Sequence, residues 1–203
     1  MIIHEELQQG TPEWFKVRKG KMTASHAQAI ASNGKGLETY IYEILSELYS
    51  SGEVDFYTNK DMDRGNELEP LARAAYEMQT GNTVKQVGFI EYSDHAGASP
   101  DGLVDDDPEG EGGIEIKCKN DKKYFMNLIL REKEIESAYK WQMQMCMLVS
   151  GRKWWDFVAY NPNFKESLII VRFHADPEMQ ESLIIGLSAG KKKIEEITST
   201  LKV

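Results

Sequence analysis

The sequence predicts an α/β (α+β) domain in which a central mixed β-sheet is flanked by helices. Helix starts and apolar stripes fill residues 11–80, short β-rich segments bounded by glycine and proline occupy the middle, and a helix, two strands and a last helix follow. At 203 residues and 41% hydrophobic content the chain is expected to form one domain over residues 1–203. It shows no internal repeat, low-complexity tract or linker.

Thr11-Pro12-Glu13 opens the first helix with a capping hydroxyl and a proline at the first helical position. Trp14, Phe15 and Val17 follow among charges. A second start falls at Thr23-Ala24-Ser25. Leu37, Ile41, Ile44, Leu45 and Leu48 make a helical stripe over residues 37–49. Residues 60–80 form another helix that Gly81 stops, with Pro70 marking a kink or a fresh start. Strands are expected at residues 83–92, 102–104 and 113–119. Residues 135–149 return to helix, rich in methionine. Strands at residues 153–160 and 167–173 are joined by an Asn161-Pro162-Asn163 turn, and Asp176-Pro177-Glu178 caps a helix running to about residue 201.

Composition narrows the chemistry. No apolar run reaches the roughly 20 residues of a membrane span, and MIIHEELQQG lacks a basic-then-apolar signal, so no membrane association is expected. Cys118 and Cys146 sit inside apolar patterns, which points to a reduced, cytoplasmic setting. His4, His26, His95 and His174 have no zinc spacing, and two cysteines are too few for an iron–sulfur cluster. The net charge of −9 does not exclude nucleic acid, because acidic residues at 105–111 inflate it and a local basic groove can coexist with an acidic exterior.

The informative stretch is ASPDGLVDDDPEGEGGIEIKCK, residues 98–119. Asp101 precedes a tight turn, and Glu115 and Lys117 flank one apolar residue on a returning strand, so they share a face at the rim of a hairpin. Two carboxylates and an ammonium form the minimal kit of a divalent-cation phosphodiesterase. The acids offer hard oxygen ligands to magnesium, and the lysine steadies a water or the charge developing on phosphate. Solvated charges on an ordinary hairpin would read the same way.

Other residues extend this candidate site. Glu69 is either a surface ion pair with Arg73, four residues on, or a third carboxylate aimed at the metal. Arg18, with Thr23 and Ser25 at a helix start, suits an anion, although capping alone explains the hydroxyls. Gln142, in an apolar helix, either positions Lys117 and the water or bonds to the sheet.

GTPEWFKVRKGKMTAS, RGNELEPLARAAYEMQTG, GASPDGLV, GIEIKCK and YKWQMQMCMLVSGRKWWDF occur in order across residues 9–173. Together they resemble the phage lambda-type alkaline exonuclease family, the YqaJ-like viral recombinases, within the PD-(D/E)xK nuclease superfamily. That resemblance implies a restriction-endonuclease-like fold and a processive 5′-to-3′ exonuclease. Such an enzyme degrades one strand of linear double-stranded DNA to mononucleotides and leaves a 3′ overhang for a single-strand annealing protein. It further implies magnesium, two ions per site with manganese as a substitute, a homotrimeric ring, and a phage or prophage protein in a bacterial host. Residue by residue, Asp101, Glu115 and the main-chain carbonyl of Ile116 match the metal ligands, Glu69 the helical acid, Lys117 the catalytic lysine and Gln142 the glutamine. Arg18 and Ser25, beside Thr23, match the 5′-phosphate pocket. Arg64 stands where some relatives carry an aromatic residue, and Met62 near it is a candidate for prying open the duplex end; both are expected to bind DNA. The rival readings are a structure-specific endonuclease, a catalytically idle DNA-binding scaffold, and an RNA-directed nuclease.

Overall fold

The computed structural model describes residues 1–51, 60–130 and 135–201, with side chains for the same residues except 60–63. After β1 (Ile2–His4), the Thr11 hydroxyl accepts from the Trp14 N–H and Pro12 fills the first turn of α1 (Pro12–Arg18). β2 (Met22–Thr23) leads through one 3-10 turn (Ala24–His26) into α2 (Ala27–Ser32). The expected cap at Thr23 is absent, because its hydroxyl bonds the Ser25 and Tyr40 hydroxyls rather than a backbone N–H of the turn. α3 (Lys35–Tyr49) buries Leu37, Ile41, Ile44 and Leu45, while Leu48 stays exposed. α4 (Lys60–Thr80) runs unbroken through Pro70, and Gly81 ends it at a φ of 78°.

Residues 83–92, expected as one strand, are two: β3 (Val84–Lys85) and β4 (Phe89–Ser93), which belong to different sheets. Gly88 sits at the crossing, where a Cβ would lie 2.0 Å from the Leu7 carbonyl oxygen. β5 (Ala96–Ala98), β6 (Gly102–Val104) and β7 (Gly112–Lys117) follow. The chain then forms α5 (Asp121–Leu130), α6 (Ser137–Ser150), β8 (Trp154–Tyr160), β9 (Leu168–His174) and α7 (Pro177–Thr200). The expected α/β arrangement with a central mixed sheet is present, in the strand order β3-β6-β7-β8-β9, and a second, smaller mixed sheet, β1-β4-β5-β2, accompanies it. Among the described residues no helix is long and apolar enough to cross a membrane.

β7 occupies the middle of the larger sheet, antiparallel to β6 and parallel to β8. Ile114 and Ile116 pack beneath Ala72 and Tyr76 of α4. The other face carries Gly113, Glu115 and Lys117 beside Trp155, Phe157 and Ala159, under the methionines of α6. Gly112 and Gly113 make room for indole rings, since a Cβ would lie 2.1 Å from Trp154 and 2.4 Å from Trp155. The sheet thus admits both tryptophans, and the strand holding Glu115 cannot shift register without losing that fit.

α7 lies across α2 with Gly186 so close that a Cβ would stand 2.0 Å from the Ile30 carbonyl oxygen. Helix propensity favours alanine over glycine by about 1 kcal/mol. Overpacking costs up to about 3 kcal/mol, and here the obstacle is backbone, so the clash wins. Gly186→Ala is expected to lower the denaturation midpoint in urea with an unchanged slope.

The acidic turn between β6 and β7 is fastened to β9. Arg172 donates from Nε and Nη2 to the two oxygens of buried Asp156, at 2.8 and 2.9 Å, and from Nη1 and Nη2 to Asp107, both at 3.0 Å. Hydrogen bonding to Arg172 holds the Asp107 carboxyl down at about 2. An unfolded aspartate titrates near about 3.9, so this contribution to stability is complete above that pH and is lost as pH falls toward about 2. Melting curves between about pH 5 and 2 should show Asp107→Asn losing that part of the acid slope.

Candidate active site

Glu115 and Lys117 do not sit on a hairpin rim. They project from the central strand, and the Glu115 side chain is 0% exposed. Two donors converge on one oxygen: Lys117 Nζ reaches Glu115 Oε1 at 2.5 Å and Gln142 Nε2 reaches it at 2.7 Å. Oε2 is buried with no partner among the described residues. The Asp101 carboxylate, in the turn between β5 and β6, accepts the Ile116 N–H at 2.7 Å. That bond ties the turn to the end of β7, so both acids are fixed by the same stretch of strand.

Glu69 comes from α4, where Arg73 Nη2 holds it at 2.5 Å. Arg73 also reaches the Asp101 carbonyl at 3.4 Å, and the Gln86 amide oxygen, turned toward it, accepts at 3.0 Å. Glu69 thus pairs with Arg73 and lines the same space as Asp101. Pro70 has no N–H for the Asn66 carbonyl one turn earlier, and Asn66 lines the same space. A cavity of about 400 Å³ opens there, lined by Glu69, Asp101, Ile116, Lys117 and Tyr139 among others.

The electrostatics follow from crowding. Burial raises the Glu115 carboxyl to about 7; Lys117 pulls it down by more than the repulsion of Asp101 and Glu69 pushes it up, and burial outweighs that pull. Burial likewise raises Asp101, and burial together with Asp101 raises Glu69. For Lys117 burial alone would lower basicity, but Glu115 and Asp101 outweigh it and hold the ammonium charged. The ammonium lies 5.0 Å from the centre of the Tyr139 ring, a further preference for the cation.

Among the described residues no three acidic, histidine or cysteine side chains form a metal cage alone. The donor set nevertheless suits a hard cation. A buried carboxylate oxygen with no partner is costly, and a divalent ion on oxygen ligands removes that cost.

A second cluster holds the expected phosphate-pocket residues. Arg18 stacks on Trp14, 3.9 Å from the ring centre, and donates to Ser99 Oγ at 3.1 Å. Trp14 Nε1 donates to the same Ser99 hydroxyl at 3.0 Å. Thr23 Oγ1 lies 3.1 Å from Ser25 Oγ and 3.2 Å from the Tyr40 hydroxyl, and Tyr40 stacks on His26. Ser99, two residues before Asp101, links this cluster to the acidic one. Sequence reasoning missed Ser99 because a serine before Pro100 reads as ordinary turn chemistry. It also gave Tyr139 no role, though the spacing from Gln142 placed both on one helix face. Of the two DNA-binding candidates, the Met62 side chain lies outside the described residues, and Arg64 stands one residue before Gly65 on the cavity flank.

Residues 13–153, more than half of the chain, match the family model of the YqaJ-like viral recombinase domain. The chain belongs to that family. A crystal structure of LHK-Exo in complex with dAMP is similar to it with a TM-score of 0.83 and 33% identity, covering 95% of this chain and 96% of that one. A second, of the alkaline exonuclease LHK-Exo from Laribacter hongkongensis, gives 0.77 and 32% over 93% and 97%. A phage-related exonuclease from Haemophilus somnus 129PT shares the fold, with a TM-score of 0.68 at 19% identity over 88% and 95%. Among curated proteins no sequence match was found. The family and its alkaline exonuclease neighbours support a nuclease role for this YqaJ-like chain.

Proposed function

We propose that this YqaJ-like protein is a magnesium-dependent exonuclease that degrades one strand of linear double-stranded DNA from a 5′-phosphorylated end. The reading extends to processive release of mononucleotides by a homotrimeric ring in the cytoplasm of a bacterial host. The 3′ overhang left behind would pass to a single-strand annealing protein. The observation that carries the hydrolytic centre is the buried Glu115 carboxylate, with one oxygen shared by Lys117 and Gln142 and the other unpartnered beside Asp101.

Asp101, Glu115 and the Ile116 carbonyl would hold the cation, with Glu69 as the further acid and manganese as a substitute. Bound there, as two ions, it supplies Lewis-acid stabilisation of charge on the scissile phosphate. The chain's own groups do the positioning. Lys117, held charged, is a donor and not a base, so it orients the attacking water or the phosphate oxygens. Gln142 keeps Glu115 aligned, and Arg73 fixes Glu69. Water adds to phosphorus, the bond from phosphorus to the 3′ oxygen breaks, and that oxygen leaves with a proton on the released nucleotide. The new 5′-phosphate stays on the shortened strand, where Arg18, Ser25 and Thr23 would receive it. Phosphate contacts of this kind carry direction without sequence preference.

Digestion of linear duplex with and without a 5′-phosphate, beside a closed circle, tests the reading. Unaltered protein should degrade the phosphorylated end fastest and leave the circle intact, and Arg18→Ala should erase the phosphate preference. Cutting of the circle would make the protein an endonuclease, and no cleavage in magnesium would make it a binding scaffold.

A further inference from the structure

We infer that Arg64 is a phosphate-binding residue, presenting one edge of its guanidinium to two oxygens of the DNA backbone beside the catalytic cavity. This rests on the nuclease reading and gives the DNA-binding candidate Arg64 a specific chemistry, a paired contact to phosphate. Arg64 is partly buried on α4, and its Nε and Nη2 atoms are shielded from solvent without a hydrogen-bond partner among the described residues, so the side chain swings outward to meet a phosphate. Those two nitrogens form one edge of the planar group, with parallel N–H bonds that match a carboxylate or a phosphate. Arg172 shows the same edge filled, with Nε and Nη2 on the two oxygens of Asp156.

Among the described residues no group fills the edge of Arg64. Its charge is felt at Cys118 and Asp121, which places it where β7 gives way to α5. The Asp121 carboxylate is occupied by the amides of Asn161 and Asn163. The adjoining wall of the cavity carries Lys119, Asn120 and Lys123, and the cavity's two acids outside β7 are engaged elsewhere, Glu69 by Arg73 and Asp101 by the Ile116 N–H. Buried guanidinium donors left unpaired destabilise a protein, and an anion that completes them binds well. Beside a phosphodiester-cleaving centre, that anion is a phosphate of the strand being degraded. The phosphate of a released mononucleotide has the same chemistry, and the test separates the two.

Duplex affinity is measured by fluorescence anisotropy in EDTA across a potassium chloride series for the unaltered protein, Arg64→Gln and Arg64→Lys, with thermal midpoints of the ligand-free proteins alongside. Arg64→Gln should weaken duplex binding about tenfold and reduce the salt slope by about one ion. Arg64→Lys should keep the slope and recover only part of the affinity, because an ammonium has no fork. The ligand-free midpoint of Arg64→Gln should hold or rise by about 2–4 °C, since unpaired donors are removed. A lower midpoint with unchanged duplex affinity would make Arg64 structural and overturn the inference. Loss of affinity for dAMP alone, with duplex affinity and slope intact, would assign the phosphate to product and also overturn it. If the unaltered protein does not bind duplex, the nuclease reading itself fails.

Discussion

Replacing Lys117 with alanine is expected to slow single-turnover cleavage of linear duplex by about 10²–10³-fold, the usual effect of deleting a donor aimed at developing charge. Lys117 is also the only cation bonded to Glu115 among the described residues. Its loss leaves a buried carboxylate facing Asp101 and Glu69 with only an amide for company. Breaking such a pair from one side costs on the order of 3 kcal/mol. The variant should therefore melt lower in EDTA and recover part of the difference in magnesium, while binding phosphorylated duplex as before. Rapid-quench cleavage and paired melting curves check both halves. An unchanged rate would remove Lys117 from the chemistry.

Glu115→Gln separates cation binding from folding. The unaltered protein should gain thermal stability from magnesium, because an ion that binds only the folded state stabilises it by about 2.7 kcal/mol at a hundred times its dissociation constant. For a chain of this length that is a rise of about 5–10 °C. Glutamine keeps the shape and the Gln142 neighbour but gives up the carboxylate whose Oε2 has no protein partner. The magnesium-induced rise should disappear and cleavage with it. Scanning calorimetry with and without magnesium reads this without an activity assay. A full shift in the variant would place the ion elsewhere.

What was legible in the sequence follows from where the physical signal is local. α4 was readable to its last residue, because a long helix closed by Gly81 carries its own stop signal. That Glu115 and Lys117 share a face was readable because side chains alternate along β7. Burial of Glu115 was not readable. It depends on β8 pairing in parallel from far along the chain and on Gly112 and Gly113 yielding space to Trp154 and Trp155.

The smaller sheet was missed for a related reason. β2 has two residues and β5 three, too few to show any period, and they exist because Met22 and Thr23 find Ala96 and Gly97 across the fold. α5 did leave a signal that went unread. Asn120 accepts the Lys123 N–H in the manner of a helix cap, and Asn-Asp ahead of an apolar run announces a helix start. Ser99 left none. Its role as the link between Arg18 and the Asp101 turn belongs to tertiary structure alone.

The most direct test of the account is the identity of the first labelled product when unaltered protein meets a linear duplex labelled at its phosphorylated 5′ end, in magnesium and in EDTA, under single-turnover conditions. The account predicts labelled mononucleotide from the outset in magnesium and none in EDTA. Labelled oligonucleotide as the first product, or release of label in EDTA, would contradict it.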